Sequence, residues 1–422
     1  MDQNARARLA YLDATEELLW PAADGSAPAA SDLCILPSPR KPRLLAPVSP
    51  RRAASSAVLR YSAQQSWFGR SAGVGLAVAV RLGYLGRAAQ HRPGHALGPD
   101  SIDAYLGQVL GEPVSTSLSL TPDRANRKPV LQVFDHAGRT IAFAKVGVND
   151  LSDQLVRSEA RVLTELAGCG LETVAIPELV SSATWRGMPV LVMSPLPAIS
   201  LRRASDALVE RAMREISAIE AEPAGAAPLG RYVDRLDTRA KEAAAVDGRD
   251  FLIRWRELFD AVLAEPAVAD VAWGGWHGDW TTWNCVALGG QLAVWDWERF
   301  GHGVPTGFDR LHYELNRRVG RTRTGFATAA PALIAGAGEL LRPWRVAPST
   351  ARVIAMLYVL DISLRYMTDG QRASGGGGTV ERWAFPAVQA AVDNTAAAHP
   401  RATQPRTPQP KTTHPRAEES QC

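Results

Sequence analysis

The stretch His277-Gly278-Asp279-Trp280-Thr281-Thr282-Trp283-Asn284, followed by Val294-Trp295-Asp296-Trp297-Glu298, constrains this chain more than any other. Asp279 and Asn284 stand five apart in a segment that reads as a loop. Asp296 comes twelve residues later, at the end of an apolar run that reads as a strand. A fold that serves this pattern must bring a loop and a strand end to one place. One carboxylate can then accept a hydroxyl proton, while the carboxamide oxygen and the second carboxylate hold a magnesium ion against nucleotide phosphates. Magnesium takes hard oxygen donors and needs few from the protein, because phosphate and water oxygens complete its octahedron. Taken singly, Asp279 reads as a loop cap, Asn284 as a turn residue and Asp296 as a strand-end cap. The combination is what points to phosphoryl transfer.

The 422 residues are too many for one small domain and suit two or three lobes. With 46% apolar and 21% charged residues, the chain can bury a sizeable core. The net charge is only +4, and much of the excess lies near the end, where Arg401, Arg406, Lys411 and Arg416 outnumber Glu418 and Glu419. The globular part is therefore not expected to bind nucleic acid. Cysteines at 34, 169, 285 and 422 show no paired spacing and no zinc pattern, which suits reduced thiols in a cytoplasm. Charged residues from Asp2 to Glu17 argue against a signal peptide. The weakly polar run from Ser71 to Val80 is stopped by Arg81 and is too short for a bilayer. A cytoplasmic protein without a membrane partner is the expectation.

Residues 1–99 are the least legible. Ala10 to Trp20 has helical spacing, Asp32 to Leu36 and Pro42 to Val48 read as short strands, and Val74 to Leu82 reads as either strand or helix. A small accessory subdomain and a partly ordered linker both fit. From Asp100-Ser101-Ile102-Asp103 a helix runs to Leu110 and stops at Gly111. Strands follow at Val114 to Leu120 and Val130 to Phe134, and the turn Asp135-His136-Ala137-Gly138 leads into a third at Thr140 to Val146. Leu155 to Leu166 reads as an amphipathic helix, and Met188 to Met193 as a strand ended by Pro195 and Pro197. Residues 100–197 thus form a sheet-bearing unit. Residues 198–399 read as helical, with candidates at Asp206 to Ala221, Val233 to Ala245, Asp250 to Leu263, Phe308 to Val319, Thr350 to Tyr366 and Glu381 to Thr395, and a break at Gly375 to Gly378. Residues 400–422 are rich in Pro, Thr, Gln and basic residues and are expected to be disordered.

The order Asp-x-x-x-x-Asn with a later Asp, introduced by His-Gly-Asp, resembles the aminoglycoside phosphotransferase and choline kinase-like superfamily, relatives of the protein kinases. The resemblance covers about residues 100 to 398. It implies an α+β, bilobal protein-kinase-like fold with an antiparallel-sheet N-lobe and a helical C-lobe. It further implies ATP or GTP with Mg2+ in the cleft, and transfer of the γ-phosphoryl group to a hydroxyl of a small molecule. Asp279 would be the catalytic base, and Asn284 and Asp296 the metal ligands. His277 and Asp309, in Gly307-Phe308-Asp309, would support the loop. Lys145, ending an Ile-Ala-Phe-Ala strand, would anchor the α- and β-phosphates, with Glu159 as its partner and Glu165 as the alternative.

Other positions stay open. Glu298 lies on the side of Asp296 if the strand continues, to bind metal or face solvent. Thr121-Pro122-Asp123-Arg124-Ala125-Asn126-Arg127-Lys128 carries no glycine, unlike kinase loops whose backbone approaches phosphates closely. Asn126, Arg127 or Lys128 would then contact phosphate by side chain, or form only a solvated hairpin tip. Trp280 and Trp283 either pack the loop or wall an acceptor site. Asp361 is expected to pair with Arg365 at i,i+4. Two further classes remain: a catalytically weak kinase-like nucleotide-binding or regulatory protein, and a metal-dependent phosphoesterase, for which the chain is short of His and Asp ligands.

Overall fold

Asp135 closes its hairpin with bonds a few residues long. Its carbonyl accepts the Gly138 N–H at 2.9 Å, and its carboxylate accepts the Arg139 N–H at 2.8 Å and Nε–H at 2.6 Å. Gly138 sits at φ +73°, a conformation glycine adopts without cost. The same economy of local signals explains Ser101, whose side chain accepts the Ala104 N–H at 3.2 Å, and the left-handed Gly111 that stops the helix.

The computed structural model describes residues 3–21, 33–38, 40–63, 67–84, 91–92, 98–120, 126–196, 204–247, 249–322, 325–369 and 380–398. The sheet-bearing half contains α1 (Gln3–Leu19), β1 (Leu33–Ser38), β2 (Lys41–Pro47), α2 (Arg51–Ala63), α3 (Trp67–Leu82), β3 (His91–Arg92), α4 (Ile102–Leu110), β4 (Ser115–Ser119), β5 (Val130–Phe134), β6 (Thr140–Val146), α5 (Asp150–Ala167), β7 (Val174–Ala175), β8 (Leu179–Trp185) and β9 (Met188–Met193). The helical half contains α6 (Asp206–Ser217), α7 (Ala226–Asp247), α8 (Arg249–Leu263), β10 (Trp273–Trp276), β11 (Cys285–Leu288), β12 (Gln291–Val294), β13 (Gly301–Pro305), α9 (Phe308–Thr322), α10 (Phe326–Ala335), α11 (Ala337–Leu341), α12 (Pro348–Thr368) and α13 (Ala384–Ala398). The expected tail at 400–422, the break at Gly375 to Gly378, Pro197 and the loop residues Thr121 to Ala125 lie outside the described residues.

One eight-stranded sheet runs β3-β1-β2-β4-β5-β6-β9-β8, with antiparallel pairs throughout. Helices form the other half, so the fold is the bilobal α+β arrangement expected. The N-terminal strands extend this sheet: Leu44 pairs with Ser119 and Leu45 with Leu118. Alternation then buries both faces. Ile35 and Leu45 join Leu12 and Leu19 of α1, and Trp20 just after it, with Leu118, Leu131 and Val133. Leu36 and Leu44 face the other way, with Phe134, against Ala53, Ala57 and Val58 of α2 and Ala77 and Val80 of α3. Val74 to Leu82 is helix, as this second layer requires.

In the helical half, α12 is buried almost all round, which is why its sequence shows no amphipathic stripe. Between the halves, Val156, Ala160 and Leu163 of α5 share a core with Met193, Trp280, Leu292, Val294 and Trp297. Strands β10 and β13 pair with each other, and β11 with β12, so the 277–284 loop is pinned at both ends. Among the described residues, no single helix is long and apolar enough to cross a membrane.

Candidate active site

The loop after β10 is held by its own backbone. Asp309, at the start of α9, accepts the His277 N–H at 2.8 Å and the Gly278 N–H at 3.1 Å with its two carboxylate oxygens. Gly278 sits at φ +84°, and a Cβ there would lie 2.2 Å from the Arg299 carbonyl oxygen, so only glycine fits. Arg365 of α12 donates to the Gly278 carbonyl. His277 Nδ1 accepts the Asp279 N–H at 3.1 Å, and its Nε2 lies 3.1 Å from the Trp295 carbonyl. The neutral ring, with its proton on Nε2, satisfies both contacts. Burial pushes its pKa down to about 4.

Asp279 therefore enters the cleft from a fixed main chain. His312 Nε2 lies 3.2 Å from its Oδ1, and Asn284 Nδ2 donates to its Oδ2 at 3.2 Å and to its carbonyl at 2.9 Å. Burial alone would raise the carboxyl. The His312 hydrogen bond, with the charges of His312, Arg365 and His277, outweighs burial and carries the pKa down to about 2. The group is ionised at neutral pH and weakly basic. His312 itself is pushed down by burial, and its Nδ1 meets the Tyr358 hydroxyl at 2.9 Å.

Lys145 crosses the cleft to join three elements. Its Nζ donates to both Glu159 oxygens, at 2.7 and 2.6 Å, and to Asp296 Oδ1 at 2.6 Å. Burial opposes its charge, but Asp296, Glu159 and Glu298 raise its pKa above the ordinary value. Asp296 takes φ +68° two residues after the end of β12 and turns the chain into a short 3-10 segment at Trp297–Arg299. Burial would raise the Asp296 carboxyl too, and the Lys145 and Lys128 charges lower it. The donors available to a hard cation fit magnesium. The Asn284 amide nitrogen is spent on Asp279, and among the described residues its oxygen has no hydrogen-bond partner, nor has Asp296 Oδ2.

A cavity of about 250 Å³ gathers Asn126, Arg127, Lys128, Lys145, Asp279, Asn284 and Asp296 in its wall, with Arg60, Phe143, Trp283 and Trp295. Asp309 and His277 stand behind the loop, and Glu159 behind Lys145. Trp280 is fully buried, whereas Trp283 is 40% exposed at the cavity.

Four expectations need correction. Glu298 neither continues a strand nor faces solvent: the left-handed Asp296 ends the strand, and Glu298 is buried against Lys128 at 2.5 Å. Glu165 is not an alternative partner for Lys145, since it meets His302 at 2.5 Å. Arg127 lies over the Tyr11 ring, 3.8 Å from its centroid, so this residue is packed rather than merely solvated. Asp361 does not pair with Arg365: Arg239 of α7 reaches it at 2.6 Å, and Arg365 turns to Gly278. His312, Arg365 and Arg60 were not foreseen as site residues. His312 carried a local signal, because it follows Asp309 by three in α9 and so shares its face. Arg60 carried none.

A model of the phosphotransferase enzyme family matches residues 144–306. No curated protein matches the chain by sequence. Among solved structures, a protein from Haemophilus somnus 129PT, provisionally named a fructosamine-3-kinase, aligns at 12% identity and TM-score 0.45, over 69% of this chain and 96% of that one. A thermostable mutant of the aminoglycoside phosphotransferase APH(4)-Ia aligns at 16% identity and TM-score 0.44, over 70% and 99%. The amicoumacin kinase hAmiN aligns at 12% identity and TM-score 0.39, over 66% and 88%. The matched span, residues 144–306, carries Lys145, Glu159, His277, Asp279, Asn284 and Asp296.

Proposed function

We propose that this protein moves the γ-phosphoryl group of ATP or GTP to a hydroxyl of a small molecule, with Mg2+. The observation that carries this reading is the meeting of Lys145, Asp279, Asn284 and Asp296 in the wall of one cavity, inside the segment that matches a phosphotransferase family. Asp279 orients the acceptor hydroxyl and takes its proton. A carboxylate with a pKa of about 2 is a poor base at neutral pH, so it accepts that proton only as the new bond forms. Alignment and charge supply most of the rate, as phosphoryl transfer requires. Lys145, fixed by Glu159, neutralises phosphate oxygens. A divalent cation held by Asn284 and Asp296 supplies further charge to the phosphates when bound. His277 and Asp309 keep the loop in place.

The test begins with a screen of small alcohols, sugars and aminoglycosides against labelled ATP and GTP. Asp279→Asn should lower turnover of the accepted substrate about 100-fold or more while nucleotide affinity stays near wild type. Asp296→Ala should lose Mg2+-dependent nucleotide binding. Wild-type turnover in either variant would refute the assigned roles. The glycine-free Thr121–Lys128 loop favours a second reading, a catalytically weak nucleotide-binding or regulatory protein. That reading expects nucleotide binding with slow turnover indifferent to Asp279→Asn.

A further inference from the structure

Four cations among the described residues line the cavity, and three are already engaged. Lys145 holds Glu159 and Asp296, Lys128 holds Glu298, and Arg127 lies on Tyr11. Arg60 differs. It comes from the last turn of α2, outside the segment that matches the family, and its guanidinium lies over two aromatic rings. Its Cζ lies 4.9 Å from the Phe143 centroid and 4.5 Å from that of Trp295. Among the described residues it makes no hydrogen bond and no ion pair. A guanidinium has five N–H donors, and those of half-buried Arg60 meet no protein acceptor among the described residues, which leaves them open to a ligand in the cavity. Burial pushes the Arg60 pKa down to about 10, against the nearby charge of Asp296.

The placement is built rather than incidental. Ser56, one turn before Arg60, shares its helix face. The Ser56 hydroxyl accepts from Gln132 Nε2 at 3.1 Å and lies 3.1 Å from Thr140 Oγ1, which ties α2 to the β5–β6 hairpin. Gln132 pairs across the strands with Phe143, and both line the cavity. Ala53, Ala57 and Val58 bury the rest of the helix. The two rings hold the guanidinium plane by cation–π attraction but offer it no acceptor. An anion in the cavity would.

We propose that Arg60 is a nucleotide-binding residue that donates to phosphate oxygens by a side chain from the N-terminal segment, in a chain whose 121–128 stretch carries no glycine. This rests on the function proposed above. The planar fork of an arginine suits phosphate, and its stem is fixed by α2 before any ligand arrives. The N-terminal segment is then part of the binding site.

The experiment titrates the full chain with ATP and GTP in the presence of Mg2+, across a range of salt concentrations. Wild type, Arg60→Ala and Arg60→Met are compared, with thermal melts to show that each is folded. Methionine keeps an apolar stem against the rings, so it decides the matter if the alanine variant fails to fold. The proposal expects Kd to rise about tenfold or more in both variants, since bonds to charged groups are worth that much. It also expects a shallower slope of log Kd against log salt, because one charge contact has gone. An unchanged or lower Kd overturns it; the latter would make Arg60 a plug. A higher Kd with an unchanged salt slope also overturns it, since only packing would have been lost. If the wild type binds neither nucleotide, the function fails and this inference with it. If the wild type binds and the variants match it, this inference alone fails.

Discussion

His277 uses both ring nitrogens in its neutral form, one accepting the Asp279 N–H and the other facing the Trp295 carbonyl. A proton on Nδ1 would turn that acceptor into a donor aimed at an N–H. The folded pKa of about 4 lies below the ordinary 6.5, so the unfolded chain takes up the proton first. The His277 contribution is therefore complete above pH 6.5 and is lost as the pH falls towards 4. The stability difference between wild type and His277→Gln, measured by urea unfolding, should stay flat above that range. It should shrink by on the order of 3 kcal/mol below it. A difference independent of pH would refute the neutral-ring account. Residues whose chemistry is set by a near neighbour were readable from sequence: Asp279 and Asn284 lie five apart and touch. His312 was not singled out, although its spacing from Asp309 was available.

At the scale of elements, α5 shows how a helix carries a site residue without depending on its own first turn. Asn149 accepts the Ser152 N–H at 2.9 Å, and Ser152 Oγ accepts the Asn149 N–H at 3.0 Å, a reciprocal cap. Glu159 stands more than two turns further on, buried against Lys145. Asn149→Ala should cost about 1 kcal/mol and lower the melting temperature by about 2 °C, with nucleotide affinity unchanged. A loss of affinity would show that the cap positions Glu159. Strands β5, β6 and β9 were legible to the residue, because alternation and the Asp135 turn fix them locally. Helix α10 was not, since its alanine-rich sequence contains Pro331 and shows no clear stripe. Strand β8 was missed because it is exposed over most of its length.

For the whole molecule, the N-terminal segment is a structural part of the sheet-bearing half. Removing residues 1–97 would take away α1, β1, β2, α2 and α3, uncover Leu118, Leu131 and Phe134, and leave β4 as an open edge. Such a chain should aggregate or lose its cooperative melt, because exposed apolar area and a bare strand edge both promote association. A truncated protein that melts like the full chain would show the segment to be dispensable for the fold. What the sequence determined by itself was short-range: the spacing of Asp279, Asn284 and Asp296, the hairpin and the strands beside it, and the sheet-then-helix order. These follow from periodicity and turn chemistry within a few residues. The tertiary structure alone decided that Arg239 rather than Arg365 meets Asp361, 122 residues away, and that Arg365 supports Gly278 across 87. It alone decided that the early strands join the sheet and that Arg60 reaches the cavity. Those contacts depend on which buried faces pack together, and no local pattern encodes the choice of partner.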